Sequence, residues 1–296
     1  MHIAINDVLR IPLVVVTAGA VVAVGAVTGP AHAAALPKPK IAAKGGFTMD
    51  SGTGRTLFTK AADTRRSTGS TTKIMTARVV LGRKNLDLKA KVTVQKAYSD
   101  YIVAKTASSA RLIVGDKVTV RQLLYGLMLP SGCDAAYALA DTFGSGSTRA
   151  ARVKSFIGKM NSTAKSLGLK NTRFDSFDGI GNGSNYSTPR DLTRLAADAM
   201  KYSTFRTVVK TKSTKQKVTT KSGGYRYMAW KNTNTLLGGY SGATGVKTGS
   251  GPTSKYCLVF AATRKGRTVV GTVLASTSAG NRTADAKKLL DHGFRK

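Results

Sequence analysis

The chain has 296 residues and carries 47 lysines and arginines against 14 acidic residues, which gives a formal net charge of +33. Every acid is an aspartate, and the chain contains only three histidines and two cysteines. His2 and His32 lie near the N-terminus, which leaves His292 as the one histidine in the rest of the chain. This inventory argues against a Ser-His-Asp triad and against a zinc hydrolase, and it predicts no metal and no other cofactor.

The first 33 residues have the pattern of a secretory signal peptide. Arg10 precedes an apolar run over residues 11–27, and Ala31-His32-Ala33 is a small-x-small cleavage site. Cleavage after Ala33 predicts an exported protein, secreted or associated with the cell wall or with the outer surface of the membrane. The alternative is an uncleaved membrane anchor, which the two glycines of the apolar run and the proline after it disfavour.

The strong positive charge predicts attraction to an anionic environment. The basic residues are scattered along the chain, and we find no zinc-finger spacing, RNA-recognition motif or helix-turn-helix pattern. We therefore expect no nucleic-acid partner. For an exported protein the expected partners by charge are anionic cell-wall polymers or a membrane surface, and the protein itself is expected to be a monomer.

The first elements after the signal are predicted to be two strands and a helix. Strands over residues 45–49 and 55–60 flank a turn at 50–54, which is a hairpin pattern. A helix is predicted from Ser70 to about Leu81, with an apolar face that includes Ile74 and Val79.

Helices dominate the predicted middle of the chain. Residues 86–118 are mixed, with a short strand-like piece at 91–94. Thr119 and Gln122 form a capping-box pattern that predicts a helix over 120–128. Further helices are predicted over 134–142 and 149–167, and another begins at Thr188-Pro189.

Strands return from about residue 207 onward. They are predicted at 225–230, 245–249, 256–264 and 267–276, and a closing helix covers 282–290. Strands at both ends and helices between them predict an α/β fold with one sheet built from both ends of the chain and an inserted all-α domain. The predicted sheet domain covers 34–80 and 205–296, the mostly helical domain covers 81–204, and the active site lies in the cleft between them.

Ser70 and Lys73 form the first motif that carries chemistry. They are three residues apart in a predicted helix, so the hydroxyl and the amine share one face. An adjacent base is what a nucleophilic serine needs, and a helix N-terminus points free N–H groups at a carbonyl under attack. Alone, this Ser-x-x-Lys spacing is a weak motif, since an exposed helix start would show it too.

Two later clusters complete a set of three motifs. Ser131-Gly132-Cys133 falls in the helical region, and Lys247-Thr248-Gly249 falls in the strand region. With Ser70-Thr71-Thr72-Lys73 they resemble, in order and spacing, the Ser-x-x-Lys, Ser-x-Asn and Lys-Thr-Gly motifs of penicillin-interacting serine enzymes. The resemblance covers residues 41–294 and is to the low-molecular-mass D-alanyl-D-alanine carboxypeptidases of serine peptidase family S11. More narrowly, the chain is similar to small secreted DD-transpeptidases with a Ser-Gly-Cys second motif.

The resemblance implies a serine β-lactamase/DD-peptidase-like fold, with an antiparallel sheet flanked by helices and an inserted helical domain. It also implies action on peptidoglycan stem peptides that end in D-Ala-D-Ala, with β-lactams as covalent inhibitors. Ser70 would be the nucleophile, Lys73 its base, and Ser131 the residue that relays a proton to the leaving D-Ala amine.

The same resemblance implies a set of substrate contacts. Lys247 and Thr248 would hold the terminal carboxylate of the substrate, and Gly249 would let its backbone lie against the strand edge. Ser250 and Ser70 would supply the backbone N–H groups of the oxyanion hole.

Cys133 departs from the family pattern, in which Asn is usual. Cys133 is expected to contact the substrate in place of that Asn. Because a thiol is a weak hydrogen-bond donor and acceptor, we expect an enzyme that favours transfer over hydrolysis. Its proximity to Lys73 predicts a lowered thiol pKa and raised reactivity. A disulfide between Cys133 and Cys257 is an alternative, but we expect two free thiols, since the first should face the cleft and the second lies in an apolar strand.

Two other functions stay open at this point. A class A β-lactamase would need a glutamate to activate water, and the chain contains none. A non-catalytic wall-binding protein would not need the complete motif set.

Overall fold

The computed structural model describes residues 11–15 and 36–296. Residues 36–296 form one compact unit. Apart from 11–15, the signal peptide predicted for residues 1–33 lies outside the described residues, so the signal stays a prediction. Within the described ranges, no helix combines the length and the apolar character that crossing a membrane requires.

The described chain from residue 36 onward forms nine strands and eight α-helices. The strands are β1 (Gly45–Asp50), β2 (Thr56–Lys60), β3 (Lys91–Thr93), β4 (Lys117–Thr119), β5 (Ser213–Thr219), β6 (Tyr225–Lys231), β7 (Ala243–Gly251), β8 (Lys255–Arg264) and β9 (Arg267–Ser276). The helices are α1 (Lys73–Leu81), α2 (Lys96–Lys105), α3 (Val120–Met128), α4 (Cys133–Phe143), α5 (Arg149–Ser166), α6 (Pro189–Ala199), α7 (Ser203–Lys210) and α8 (Ala279–Arg295).

The main sheet is antiparallel and joins both ends of the described chain, as predicted. Its strand order is β2-β1-β9-β8-β7. Alternate residues of β8 enter two different cores: Val259 and Ala261 pack with the large helical core, while Leu258 and Phe260 pack with Leu289 of α8. Helices therefore cover both faces of the sheet, which explains why β8 and β9 read as nearly continuous apolar runs.

A second sheet, with the order β3-β4-β5-β6, was not foreseen. The strand-like piece predicted at 91–94 is confirmed as β3, whereas β4 has only three residues and is too short for alternation to reveal it. β5 and β6 pair in register from Ser213 opposite Lys231 to Thr219 opposite Tyr225. Two strands of this sheet come from the predicted helical domain, 81–204, and two come from the predicted sheet domain, 205–296. The boundaries of these two domains stay a prediction.

Two helices were missed or misjudged. α2 has only Tyr98 fully buried, so its apolar signal is weak. α7 occupies residues where we predicted strand texture, and that prediction is wrong for 207–210. Its β-branched residues favour a strand, but Phe205, Val208 and Val209 have helical spacing and are all buried.

Helix α1 lies at the centre of the fold. The predicted helix from Ser70 is confirmed, with a 3₁₀ turn over Gly69–Thr72 before α1 begins. Instead of one apolar face, the whole of α1 is buried except for Arg78. It packs against α3, α4, α5 and α6. The residue that begins this helix, Lys73, is therefore held in a closely packed, buried part of the molecule.

The predicted capping box of α3 is confirmed. The Thr119 hydroxyl accepts the N–H of Gln122 at 3.2 Å, and the Gln122 side-chain oxygen accepts the N–H of Thr119 at 2.9 Å. The capping box fixes the residue at which α3 begins. Leu129 and Pro130 follow the helix and lead into the next motif, at residues 131–133.

Candidate active site

Ser70 and Lys73 are in direct contact. Ser70 lies on the 3₁₀ turn that leads into α1, and the Lys73 Nζ donates to the Ser70 Oγ at 2.9 Å. Lys73 is fully buried, whereas Ser70 is partly exposed. A serine hydroxyl held against a buried amine is the arrangement that allows proton removal before nucleophilic attack.

Two further acceptors surround the Lys73 amine. Its Nζ lies 3.2 Å from the Cys133 Sγ and 3.3 Å from the backbone oxygen of Asp178. An ammonium has three N–H donors, so these contacts and Ser70 account for all of them. None of the three acceptors is a carboxylate, because the Asp178 side chain instead accepts from the Tyr101 hydroxyl at 2.9 Å. The amine is thus oriented by neutral groups.

The second motif forms a strained turn at the start of α4. Ser131 has a φ of 66°, in the left-handed region, and Gly132 precedes the first residue of α4. The Ser108 hydroxyl donates to the Ser131 carbonyl at 2.6 Å, and the Cys133 N–H donates to the Ser108 carbonyl at 2.8 Å. The turn is therefore fixed from both sides, and it delivers Ser131 to the cleft and Cys133 to Lys73.

Asp134 supports this turn and has no catalytic contact. Its carboxylate accepts the N–H groups of Ala110 at 2.8 Å and Leu112 at 3.1 Å, and the Ser109 hydroxyl at 2.8 Å. This agrees with our expectation of a structural acid at the start of a helix.

The third motif lies on β7, an edge strand of the main sheet. The Lys247 Nζ donates to the Thr248 carbonyl at 3.1 Å, and the Thr248 hydroxyl lies 2.6 Å from the hydroxyl of Thr233. Lys247 is buried, and burial together with the nearby charge of Lys73 lowers its pKa well below the usual value. The two buried lysines are therefore electrostatically coupled.

Gly249 is required by the contact between β7 and the Ser70 turn. A Cβ at this position would lie 2.7 Å from the Thr68 carbonyl and 3.1 Å from the Thr71 nitrogen. Both are backbone atoms, so neither can move aside cheaply. The absence of a side chain lets β7 lie directly against the turn that carries the serine.

The loop 178–185 closes the other side of the turn. The Asn185 side chain donates to the hydroxyls of Thr68 at 3.1 Å and Thr72 at 2.9 Å. Gly179 has a φ of 95°, and a Cβ there would lie 2.1 Å from the Gly69 carbonyl. The Ser70 turn is thus held between the loop and β7.

A cleft of about 650 Å³ opens along these segments. Ser70, Ser131, Thr248, Gly249 and Ser250 line it. Lys73, Cys133 and Lys247 lie behind its wall, each exposed by no more than 1%. The structure therefore brings all eight predicted residues together, five at the cleft surface and three beneath it. Their individual roles stay predictions.

Cys133 corrects one expectation about thiol chemistry. It contacts Lys73, as predicted, but burial raises the pKa of the Cys133 thiol and outweighs the opposite effect of Lys73. Asp178 raises this pKa further. The expected lowered thiol pKa is therefore wrong. Both Cys133 and Cys257 are free thiols, as predicted, and burial raises the pKa of Cys257 to about 11.

Three residues of the site were missed by sequence reasoning. Asp178 contributes a backbone carbonyl, Thr233 bonds to Thr248, and Arg282 lines the cleft while donating to the Gly249 carbonyl at 3.0 Å. A backbone contact leaves no signal in side-chain identity. Thr233 and Arg282 each belong to common residue types in this chain, so only the fold identifies them.

Comparisons with known proteins agree with this geometry. The family model described as D-alanyl-D-alanine carboxypeptidase, peptidase family S11, matches residues 31–278. The D-alanyl-D-alanine carboxypeptidase of Streptomyces sp. strain K15 is 70% identical over 286 residues, which cover 96% of this chain and 98% of that protein. The D-alanyl-D-alanine carboxypeptidase DacF of Bacillus subtilis is 32% identical over 85% of this chain, which spans only 62% of DacF.

Solved structures give the same result for the fold. The crystal structure of the Streptomyces K15 DD-transpeptidase has a TM-score of 0.87 and 74% sequence identity, and the match covers 88% of this chain and all of that one. The predicted serine β-lactamase/DD-peptidase-like fold is confirmed. With the family model spanning most of the chain and a relative at 70% identity, the chain belongs to the D-alanyl-D-alanine carboxypeptidase family, serine peptidase family S11.

Proposed function

We propose that this protein is a penicillin-sensitive serine DD-peptidase that acts on peptidoglycan stem peptides ending in D-Ala-D-Ala through an acyl-enzyme on Ser70. The observation that carries the proposal is the 2.9 Å contact between Ser70 and the buried amine of Lys73 at the wall of the cleft. Membership of the family supports the same chemistry, with transfer to an amine or to water as the second half of the reaction.

Acylation begins when Lys73, as a neutral amine with a free lone pair, takes the proton of Ser70. The Ser70 oxygen then attacks the carbonyl of the penultimate D-Ala, and the bond to the terminal D-Ala breaks. The contacts of Lys73 support this role, because its Nζ lies against the Ser70 hydroxyl and none of its three acceptors is a carboxylate.

Ser131 passes a proton to the leaving amine. Its hydroxyl oxygen is buried at the cleft and has no hydrogen-bond partner within residues 11–15 and 36–296. A hydroxyl without a fixed partner, next to the scissile bond, can accept from one side and donate to the other.

The terminal carboxylate of the substrate binds beside β7. Thr248 offers a hydroxyl and Arg282 a guanidinium at the cleft surface, while Lys247 lies just behind. An arriving carboxylate favours the charged form of Lys247, so substrate binding and the protonation of Lys247 are coupled.

The oxyanion that forms on the attacked carbonyl is held by the N–H groups of Ser70 and Ser250. The two segments adjoin, since a Cβ on Gly69 would lie 3.2 Å from the Ser250 nitrogen. Removing one such donor typically costs ~10²–10³ in rate.

Export, wall association and a monomeric state are part of the same proposal. The signal pattern of residues 1–33 supports export, and a net charge of +33 supports attraction to anionic cell-wall polymers.

Labelling with a fluorescent penicillin tests the proposed function. Wild-type protein should carry one stable covalent label, and Ser70→Ala should carry none. Ser67→Ala is the matched control, because Ser67 also lines the cleft but has no amine against it, and it should label normally. Labelling of Ser70→Ala would contradict the assignment. A label that disappears within minutes from wild-type protein would indicate a β-lactamase instead.

A further inference from the structure

The second sheet buries one face and exposes the other. Val118, Val218, Met228 and Trp230 belong to the helical core. The residues that alternate with them point to solvent, and we call this side the lysine-tyrosine face. It is defined by Lys91, Lys117, Lys215, Lys217, Tyr225 and Tyr227, all exposed.

The lysines of this face form a patch with no acid among them. Lys215 and Lys217 are two residues apart on β5, which places them about 7 Å apart along the strand. Lys117 pairs with Thr219 on the next strand, and the Lys91 Nζ donates to the Thr219 hydroxyl at 3.2 Å. None of the four strands contains an aspartate, and the nearby Asp116 is buried and paired with Arg226.

The two tyrosines hold the lysines in place. Tyr225 and Tyr227 are 61% and 54% exposed, and their rings meet edge to face at 5.9 Å. The Lys217 Nζ lies 3.9 Å from the Tyr225 ring centre, and the Lys215 Nζ lies 4.8 Å from that of Tyr227. Cation–π contacts of this kind restrict long side chains before a ligand arrives, so less entropy is lost on binding.

The face adjoins the cleft along the chain. β6 carries both tyrosines and ends at Lys231, two residues before Thr233, which lines the cleft. Thr233 follows Tyr227 by six residues, so the two Cα atoms lie at most about 20 Å apart. A polymer chain bound on the face would therefore keep the cleft close to the cell wall.

We propose that the lysine-tyrosine face binds a linear phosphodiester polymer of the cell wall. A row of cations binds an extended polyanion through its phosphates without sequence preference, and here the tyrosine rings contribute by holding the lysines in place. A bilayer surface is a poorer match, because membrane-binding faces insert large apolar side chains. On this face the tyrosine rings already lie under ammonium groups. The proposal rests on the proposed export to the cell wall. It assigns the attraction to anionic wall polymers to one defined surface of the protein.

Binding to immobilised poly(glycerol phosphate) between about 50 and 500 mM salt tests the proposal. The face variant is Lys117→Gln with Lys215→Gln and Lys217→Gln. The matched control is Lys154→Gln with Lys165→Gln and Lys170→Gln, three exposed lysines on or just after α5 with the same change in charge. A second face variant, Tyr225→Ala with Tyr227→Ala, keeps the charge.

The face variant should lose at least ~10-fold in affinity at low salt, and the slope of log affinity against log salt should fall by about 2, since each phosphate contact contributes about 0.7 in a single-stranded polyanion. The control should lose less than about threefold, and the tyrosine variant roughly fivefold. Equal losses in the face variant and the control would overturn the proposal. So would dependence on the face for anionic vesicles of phosphatidylglycerol and phosphatidylcholine but not for the polymer.

Penicillin acylation is measured on the same preparations to separate the two proposals. Both triple variants should acylate at the wild-type rate. A wild-type protein that binds the polymer through the face but is not acylated would contradict the proposed function and leave the face supported.

Discussion

The lysines of this protein occupy two opposite environments. Lys73 and Lys247 are fully buried beside the cleft and have no carboxylate among their hydrogen-bond partners. Lys215 and Lys217 lie on the exposed side of the second sheet, over tyrosine rings. Burial and the nearby charge of Lys73 lower the pKa of Lys247, whereas the electrostatic attraction of an exposed amine is screened by salt. The same residue type is therefore proposed to serve proton transfer in one region and surface attraction in the other.

The two regions also differ in how much structure holds each side chain. The Ser70 turn is fixed by Asn185, by β7 and by the loop at Gly179. The lysine-tyrosine face is fixed by one sheet and by contacts among its own side chains. We expect substitutions beside the cleft to have large effects on activity or stability, and substitutions on the face to affect only association.

The largest effect in the comparison is expected from Gly249→Ala. The added Cβ would lie 2.7 Å from the Thr68 carbonyl, so β7 or the Ser70 turn must shift. We expect penicillin acylation to fall by at least ~100-fold, with a loss of about 1–3 kcal/mol in the free energy of unfolding. Acylation kinetics and thermal unfolding measure both. Gly251→Ala is the control and should behave like wild type, since its Cβ would contact only the Ser254 hydroxyl, at 3.3 Å. Near wild-type acylation and stability in Gly249→Ala would contradict the packing described.

Lys247→Met should stabilise the fold. The pKa of Lys247 is lowered by burial and by Lys73, so the unfolded chain binds more protons than the folded one between that lowered value and the usual value near 10.4. Stability in the wild type should therefore rise with pH across this range, and the rise should be smaller in Lys247→Met.

The gain at pH 7 should be of the order of 1–4 kcal/mol, as when buried ionic groups are replaced by apolar ones of similar volume. Urea unfolding at several pH values measures it. Lys215→Met, at an exposed site, should stay within about 0.5 kcal/mol of wild type, and destabilisation by Lys247→Met at neutral pH would contradict the argument.

The smallest effect concerns the thiols. Burial raises the pKa of both Cys133 and Cys257, so both should react slowly with a thiol reagent at pH 8 in the folded protein and rapidly after unfolding. We expect at least a ~10-fold difference between the two states. Rapid reaction of Cys133 in the folded protein, identified by peptide mapping, would restore the interpretation of Cys133 as a thiol activated by Lys73.

Much of this architecture was predictable because short segments encode it. The capping box at Thr119, the hairpin of β8 and β9 and the spacing of Ser70 and Lys73 are local patterns, and each corresponds to local geometry. The three motifs located the cleft because each of them fixes a turn, a helix start or a strand.

The remainder depends on contacts between distant segments. The Asp178 carbonyl reaches Lys73 from 105 positions away, and no side chain records that contact. β4 pairs with β3 and also joins β5, where Lys117 lies opposite Thr219 from 102 positions further along the chain. The raised pKa of Cys133 reflects how completely the site is buried, which a neighbouring lysine in the sequence does not reveal.

The central claim is that buried Lys73 accepts the proton of Ser70. The most direct test measures penicillin acylation by rapid kinetics, separating initial binding from the covalent step. Lys73→Met should bind penicillin with an unchanged initial affinity and acylate ~10²–10⁴-fold more slowly, and Lys73→Arg, which keeps a charge but cannot give up its proton, should be equally slow. A wild-type acylation rate in Lys73→Met, or recovery of the rate in Lys73→Arg, would contradict the claim.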